Sequence, residues 1–265
     1  MSASKLKLSK FIVLRFVMSQ KEPRSYIFIA LVLILVFLSL VFFLIPEKKS
    51  EAWQQSLASK RATTTKLVKI PLVVFIGDST CKGGADDLEI PQRWPQLVSA
   101  QNRWFPYNAC VGGSGYINPG PNGKSTYEQI AESLFPKFNP ALIVVEGGQN
   151  DLDTVFATGA DMATEMRGAA CNLYASIRKN YPTVKVIVMT PLFGVSQAPP
   201  AIGMQESAIK ECAAKYNAKV ISGVRKWLQD KPDLLIADHV HANGKGQILI
   251  AKKFVAWFKA SGLKA

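Results

Sequence analysis

The chain has 265 residues, a formal net charge of +13 and a hydrophobic content of 48%. This length accommodates one medium-sized domain with a full hydrophobic core and an additional segment. The positive charge does not indicate nucleic-acid binding, because the globular part has no basic run with interleaved aromatic residues. The four cysteines show no C-x-x-C spacing, which argues against a zinc or redox site and leaves two disulfides or four free thiols.

Close to the N-terminus, the stretch Tyr26–Ile45 is apolar except for Ser39. About twenty helical residues span roughly 30 Å, the thickness of the hydrocarbon core of a bilayer. A buried core helix rarely lacks charge over this length. A cleaved signal peptide normally has a shorter apolar region followed by a small-residue cleavage site. We therefore predict an uncleaved transmembrane signal anchor at residues 26–45.

The charges around this span predict its orientation. Six basic residues precede it, namely Lys5, Lys7, Lys10, Arg15, Lys21 and Arg24. This bias predicts a cytoplasmic tail at residues 1–25 and an extracytoplasmic C-terminal domain. Residues 46–68, rich in Lys, Ser, Ala and Thr, predict a stalk, and residues 69–265 the globular domain. The sequence thus predicts a single-pass protein of the cell membrane.

From Ile70 onward, short β-branched runs alternate with helical patterns. The predicted strands are Ile70–Ile76, Tyr107–Val111, Ala141–Val145, Val184–Met189 and Ala218–Ile221, and the predicted helices are Arg93–Asn102, Ser125–Phe135, Ala163–Asn180, Gln205–Tyr216 and Lys245–Ser261. The alternation predicts an α/β domain with a parallel sheet covered on both faces. In such sheets, chemistry gathers at the carboxyl ends of the strands.

The tripeptide Gly77-Asp78-Ser79 directly follows the first predicted strand. A serine at a strand-to-helix turn lies near a helix N-terminus, where its own N–H is free to donate. Ser79 is therefore a candidate nucleophile. Asp78 and Ser79 are also good N-cap residues, so the alternative interpretation is a purely structural cap.

Two polar loops follow the second and third predicted strands. The glycines at 112–115 allow a backbone N–H to approach a reacting atom closely. Asn150, in Gly148-Gln149-Asn150-Asp151, can donate two hydrogen bonds without carrying charge. The alternative for both loops is an ordinary turn, and we predict a structural role for Asp151 in either case.

Asp238 and His241 lie three residues apart, just before the last predicted helix. This spacing lets the carboxylate turn back to the imidazole Nδ1–H, where it fixes the tautomer and stabilises the cation. His239 has the wrong spacing and is predicted to be structural. A metal site at Asp238, His239 and His241 is an alternative, but no further ligands accompany it. The G-x-S-x-G elbow is absent, because Ala198 follows Ser196 where glycine is needed.

In this order and spacing, the motifs resemble those of the SGNH (GDSL-like) hydrolase family over about residues 70–262. The matching residues are Gly77-Asp78-Ser79 with Gly83, the segment Asn108–Gly113, Gly148 with Asn150 and Asp151, and Asp238 with His241. The resemblance implies a flavodoxin-like three-layer α/β/α fold and ester hydrolysis. It implies Ser79 as nucleophile, His241 as base and Asp238 as its partner. It also implies an oxyanion hole made by the Ser79 N–H, the Gly113 N–H and the Asn150 side chain.

Two positions depart from the family pattern. The second motif is rich in glycine, so Gly112 or Gly115 is an alternative to Gly113 as donor. Ala242 follows the histidine, where proline is frequent in the family.

The predicted function is that of a membrane-anchored serine esterase or acyl hydrolase without cofactor or metal. Its expected substrate is an acylated small molecule, a lipid or an envelope glycan. The alternatives are an O-acyltransferase that uses a sugar hydroxyl as acceptor, and an inactive domain that binds acylated glycan. The sequence makes no prediction of the oligomeric state.

The strand order expected of such a fold also predicts how the cysteines pair. In a doubly wound sheet of order 2-1-3-4-5, the first two strands are neighbours, which brings Cys81 close to Cys110. Cys171 and Cys212 lie on the helices after the third and fourth strands, and right-handed crossovers place these helices side by side. If disulfides form, we expect Cys81–Cys110 and Cys171–Cys212.

Overall fold

The computed structural model describes residues 69–84, 88–135, 137–159, 161–192 and 201–265, together with Leu33 and Gln55. The predicted tail, membrane span and stalk lie outside the described residues apart from those two, and they stay predictions. In the described part of the chain, no helix is long and apolar enough to cross a bilayer. All the elements below belong to one compact unit, Lys69–Ala265.

Strands and helices alternate along this unit. The strands are β1 Leu72–Gly77, β2 Phe105–Asn108, β3 Leu142–Glu146, β4 Lys185–Met189 and β5 Lys219–Ile221, and the helices are α1 Ser79–Lys82, α2 Trp94–Asn102, α3 Tyr127–Leu134, α4 Asp151–Thr158, α5 Met162–Asn180, α6 Ala201–Lys215 and α7 Gly244–Ala260. Short 3₁₀ turns occur at Ile90–Gln92, Val224–Trp227 and Pro232–Leu234.

The strands form one parallel sheet of order β2-β1-β3-β4-β5. In the register, Phe75 of β1 is opposite Asn108 of β2 and Val144 of β3. The chain order reverses at β1, which leaves a crevice at the carboxyl ends of β1 and β3. Such a switch point is where open α/β sheets bind their ligands.

Alternate strand residues point to opposite sides of the sheet, so both of its faces are apolar, and helices cover both. Val74, Ile143 and Val188 belong to a core with α3, α5 and α6. Phe75 and Val144 belong to a second core with α2 and α7. The predicted three-layer α/β/α sandwich with a five-stranded parallel sheet is confirmed.

The elements differ from the predicted ones mainly at their ends. β2 lies earlier than predicted and ends at Asn108. Beyond its end, the Ala109 and Val111 N–H groups still donate to the Phe75 and Gly77 carbonyls of β1. Helix α4 was not predicted, and α6 begins at Ala201 rather than Gln205.

Both predicted cysteine pairs form disulfides. Cys81–Cys110 joins α1 to the loop after β2, and Cys171–Cys212 joins α5 to α6. The neighbouring positions of β1 and β2, and of α5 and α6, bring the partners together as expected.

Candidate active site

Ser79 lies at the switch point of the sheet, as the first residue of α1. The preceding Asp78 is the N-cap, and its Oδ1 accepts a hydrogen bond of 2.9 Å from the Thr80 N–H. The capping interpretation therefore holds for Asp78 alone. Ser79 is half-buried, and its hydroxyl is left for the crevice.

A continuous chain of hydrogen bonds joins Ser79, His241 and Asp238. His241 Nε2 lies 2.8 Å from Ser79 Oγ, and His241 Nδ1 lies 2.6 Å from Asp238 Oδ2. A carboxylate only accepts, so the imidazole proton is on Nδ1 and Nε2 is left to accept from the serine hydroxyl. The three residues come together in the arrangement of a catalytic triad.

The tight turn that carries Asp238 and His241 orients both side chains. Asp238 Oδ1 accepts from the N–H groups of Val240 and His241 at 2.8 and 2.9 Å. Burial raises the pKa of Asp238, but the hydrogen bonds from the His241 side chain and from both N–H groups outweigh it and lower the pKa to about 2. Asp238 is therefore ionised at neutral pH, as the orienting partner of a histidine must be.

His239 serves the same turn in a different way. It has a positive φ of 57°, its N–H donates to the Ile236 carbonyl at 3.0 Å, and its side chain is exposed. Asn243 secures the other end, since its Nδ2 donates to the Asp233 and Leu235 carbonyls while its Oδ1 caps α7. The turn points His241, and not His239, at Ser79.

The loop after β2 lies against the nucleophile turn. The Val111 N–H donates to the Gly77 carbonyl at 2.9 Å, and the Ser114 hydroxyl, which donates to the Val111 carbonyl at 2.7 Å, also lies 3.2 Å from the Gly77 carbonyl oxygen. A Cβ built on Gly112 would lie 3.8 Å from Ser79 Cβ. Gly113 has a φ of +78°, a conformation that side-chain-bearing residues rarely adopt. The glycines thus bring a backbone turn close to Ser79.

The hydrogen bonds of this loop narrow the choice of oxyanion donors. The Gly115 N–H donates to the Asn118 carbonyl at 2.9 Å, so it is already engaged. The N–H groups of Ser79, Gly112 and Gly113 have no acceptor among the described residues. The Gly115 N–H is therefore not free to bind an oxyanion in this structure, and Gly113 stays the predicted donor, with Gly112 as the alternative.

Asn150 lies in the turn after β3, where it joins the same loop. Its Nδ2 donates to the Ser114 carbonyl at 2.8 Å, and its own carbonyl accepts from Asn118 Nδ2 at 3.1 Å. An amide nitrogen has two N–H groups, so one is left for an incoming oxyanion. The hydrogen bond to Ser114 holds the amide beside the glycine loop.

Asp151 is buried and has the structural role predicted for it. Its carboxylate accepts from the N–H groups of Tyr116, Ile117 and Asn118 at 3.0, 2.8 and 2.8 Å. Burial raises the pKa of Asp151 to about 6, and these three N–H groups oppose the rise. A Cβ on Gly115 would overlap the carboxylate, which explains the glycine at that position. Asp151 thereby ties the loop after β2 to the start of α4.

Tyr127, which was not among the predicted site residues, connects the turn of Ser79 to the turn of Asn150. The Tyr127 hydroxyl donates to Asp78 Oδ2 at 3.3 Å and accepts from the Gly148 N–H at 3.1 Å. It is fully buried, and a Cβ on Gly147 would overlap both the hydroxyl and the Asp78 carboxylate. Tyr127 therefore joins the turn of Ser79 to the turn of Asn150.

Glu146, the last residue of β3, was also missed. Both of its carboxyl oxygens are buried without a hydrogen-bond partner of normal geometry among the described residues. Burial and the neighbouring Asp78 raise its pKa well above the ordinary value, and the Cys81 N–H offsets this only in part. Burial also raises the pKa of Asp78. Glu146 therefore loses its proton less readily than an exposed glutamate does. In the sequence, a single acidic residue at the end of an otherwise apolar strand was the feature that could have predicted this buried acid.

The alternative of a metal site receives no support from this geometry. Both ring nitrogens of His241 are occupied, by Asp238 and by Ser79. Within the described ranges, no group of three or more His, Cys, Asp or Glu side chains is arranged to hold a metal ion.

A parallel α/β sheet with a Ser–His–Asp chain at its switch point defines the site of a serine hydrolase. The sequence pattern of the GDSL-like Lipase/Acylhydrolase family matches residues 75–248, and the chain belongs to that family. It is therefore a hydrolase of carboxylic esters, of the GDSL/SGNH type.

A curated relative, a GDSL lipase of Mycobacterium tuberculosis, is 26% identical over 187 residues, covering 68% of this chain and 78% of the relative. Among solved structures, the psychrotrophic esterase EstA of Pseudoalteromonas sp. superposes with a TM-score of 0.56 at 19% identity, covering 72% of this chain and 97% of that one. The salicylyl-acyltransferase SsfX3 gives a TM-score of 0.58 at 15% identity, covering 75% and 56%. At these identities the two structures show the fold alone.

Proposed function

We propose that this protein is a membrane-anchored serine acyl hydrolase that removes ester-linked acyl groups from an envelope lipid or glycan through an acyl-enzyme. The observation that supports the chemistry best is the hydrogen-bond chain from Ser79 Oγ through His241 to Asp238. A serine hydroxyl is a weak nucleophile unless a base is in place to take its proton, and this chain places one.

In the first half-reaction, Ser79 Oγ attacks the ester carbonyl carbon while its proton passes to His241 Nε2. The negative charge that develops on the carbonyl oxygen is met by the N–H groups of Ser79 and Gly113 and by Asn150 Nδ2. His241 then gives its proton to the leaving alcohol, and the acyl group stays on Ser79. The ionised Asp238 stabilises the imidazolium in between.

In the second half-reaction, a water molecule attacks the acyl-enzyme carbonyl while His241 Nε2 takes a proton from it. Collapse of the second tetrahedral intermediate returns the proton to Ser79 Oγ and releases the carboxylic acid. The only reactants are the ester and water, so the cycle needs no cofactor.

The proposed location rests on the charge and hydropathy of the N-terminal sequence and on the cysteines. The apolar span 26–45 and the basic residues before it favour an anchor with the catalytic domain outside the cytoplasm. None of the four cysteines is free, and disulfides persist in oxidising compartments. If flexible, a stalk of about 20 residues has an r.m.s. reach of roughly 22–27 Å, which keeps the site near the membrane surface. Lipids and acylated glycans of the cell surface carry ester bonds within this reach.

This proposal is tested by measuring the turnover of p-nitrophenyl esters of increasing acyl chain length by the full-length protein in detergent. An acetylated glycan is tested as a second substrate, and an acceptor sugar is added in a third assay. We expect release of p-nitrophenol and of free carboxylic acid. Quantitative transfer of the acyl group to the sugar would identify an O-acyltransferase. Binding of the acylated glycan without any turnover would identify an inactive binding domain, and either result would overturn the proposed hydrolase.

A further inference from the structure

The nucleophile Ser79 follows β1 and the backbone donor Gly113 follows β2, and a disulfide joins these two segments. Cys81 lies two residues after Ser79 in α1, and Cys110 lies three residues before Gly113. The disulfide brings their Cα atoms to 5.8 Å, and both residues are buried. The disulfide therefore joins the segment that carries the nucleophile to the segment that carries the oxyanion donor.

The Asn108 side chain joins the same two segments. Its Nδ2 donates to the Cys81 carbonyl at 3.1 Å, and its Oδ1 accepts from the Cys110 N–H at 3.0 Å. An amide that binds both halves of a disulfide orients one half against the other. Gly112, on which a Cβ would lie 3.8 Å from Ser79 Cβ, is two residues beyond Cys110.

Helix α1 needs such external support. It has four residues, and a single helical turn has little stability of its own, because nucleation costs more than the first hydrogen bonds return. The loop at 111–115 likewise lies outside any strand. Ties between the two, rather than either element alone, set the distance between Ser79 and the Gly113 N–H.

We propose that Cys81 and Cys110 are positioning residues, whose disulfide holds the oxyanion loop at the correct distance from Ser79 and so makes the oxidised enzyme the competent one. This inference rests on the proposed acyl-hydrolase function. Reduction by a dithiol such as dithiothreitol breaks the S–S bond and yields two thiols, while the reductant is oxidised to its own cyclic disulfide. The reduced enzyme keeps Ser79, His241 and Asp238 but loses the fixed oxyanion hole.

The second disulfide provides a matched control. Cys171–Cys212 joins α5 and α6, and it closes 41 residues of chain, compared with 29 for Cys81–Cys110. Crosslinks of similar span constrain the unfolded chain to a similar degree. The two double variants are therefore expected to lower the Tm by similar amounts, while only one of them loosens the catalytic turn.

The test compares C81S/C110S with C171S/C212S in the full-length protein, by steady-state ester hydrolysis and thermal unfolding. We expect C81S/C110S to lower kcat by about 10- to 100-fold with KM little changed, as a displacement near 1 Å does. C171S/C212S should keep kcat within about two-fold of the wild type. Equal kcat values in the two variants would overturn the inference, whereas no turnover by the wild type would overturn the proposed function instead.

Reduction of the C171S/C212S variant provides a second route if C81S/C110S fails to fold. In this variant Cys81–Cys110 is the one crosslink left, so dithiothreitol acts on it alone, and alkylation followed by mass spectrometry gives the reduced fraction. We expect kcat to fall in proportion to that fraction and to recover on reoxidation. Full activity in the fully reduced enzyme would contradict the proposal.

Discussion

At the scale of single residues, two histidines in one turn have different surroundings. His241 Nε2 is 2.8 Å from Ser79 Oγ, while His239 is exposed with a positive φ of 57°. Only His241 is placed to take a proton from the nucleophile. The difference comes from the turn, which Asp238 closes by accepting from the Val240 and His241 N–H groups.

His241→Ala is expected to lower kcat by about 10⁴- to 10⁶-fold, because the base of a triad is removed, while His239→Ala stays within about two-fold of the wild type. Steady-state hydrolysis of one ester by both purified variants measures this. Loss of activity in His239→Ala with His241→Ala active would reverse the assignment.

Asn150→Ala is expected to lower kcat by about 10²- to 10³-fold and to change KM little, because the side-chain N–H binds an oxyanion that exists only in the transition state. Circular dichroism and the Tm serve as controls, since the same side chain also donates to the Ser114 carbonyl. Unchanged kcat in a folded variant would leave Asn150 as a turn residue.

The sequence predicted the residues of the Ser–His–Asp chain because their motifs are local. Asp238 and His241 are three residues apart, and each motif follows a strand or precedes a helix. Tyr127 was beyond prediction, since its contact with Asp78 crosses 49 residues of sequence and depends on how α3 packs on the sheet. The choice between Gly113 and Gly115 likewise required the hydrogen bond from Gly115 to Asn118.

At the scale of elements, β1 and β3 end in buried acids. Glu146 ends β3 and Asp78 follows β1, and burial raises the pKa of both. Below the unfolded pKa, near 4, such a group is protonated in both states and its contribution to stability is fully present. As the pH rises toward the folded pKa, the unfolded chain releases protons that the folded chain retains, so this contribution is lost.

Glu146→Gln is expected to flatten the decline in stability as the pH rises from about 4 to 8, and to stabilise the protein by about 1–3 kcal/mol at pH 8. For a domain of this size, each kcal/mol corresponds to roughly 2–4 °C in Tm. Thermal unfolding across this pH range measures it, with the exposed Glu165→Gln as control. A steeper decline in Glu146→Gln, or an equal effect of both substitutions, would contradict the assignment.

Most elements were predicted to within two residues, and the exceptions include β2, α4 and the start of α6. α5 and α7 follow long amphipathic patterns, and all four of their ends were predicted within one residue. The residues of β2 are exposed or only partly buried, so the apolar pattern does not mark the strand itself. The predicted strand was therefore displaced into the loop at 109–111. α4 begins directly after Asn150, and the polar residues of that turn did not indicate the start of a helix.

At the scale of the whole molecule, the alternation of strands and helices was enough to predict a parallel three-layer fold and, with the expected strand order, both disulfides. The reason is physical: right-handed crossovers and a reversal at β1 leave few topologies. The substrate could not be predicted, because acyl and alcohol specificity depend on side chains and loops around the crevice rather than on the triad.

The proposed orientation is tested by adding protease to intact cells or spheroplasts. We expect the catalytic domain to be digested and a fragment with the N-terminal tail and the span 26–45 to survive, while a cytoplasmic marker protein stays intact. Cleavage of the tail with protection of the domain would show the inverted orientation, and a cytoplasmic ester or thioester would then be the substrate to test.

Covalent labelling with a fluorophosphonate tests whether Ser79 is the nucleophile. Ser79 Oγ displaces fluoride, and after reduction and trypsin digestion we expect one adduct, on the peptide of residues 70–82. In Ser79→Ala we expect no label and no ester turnover. Labelling of Ser114 or Ser196 instead, together with full activity in Ser79→Ala, would show that Ser79 is not the nucleophile.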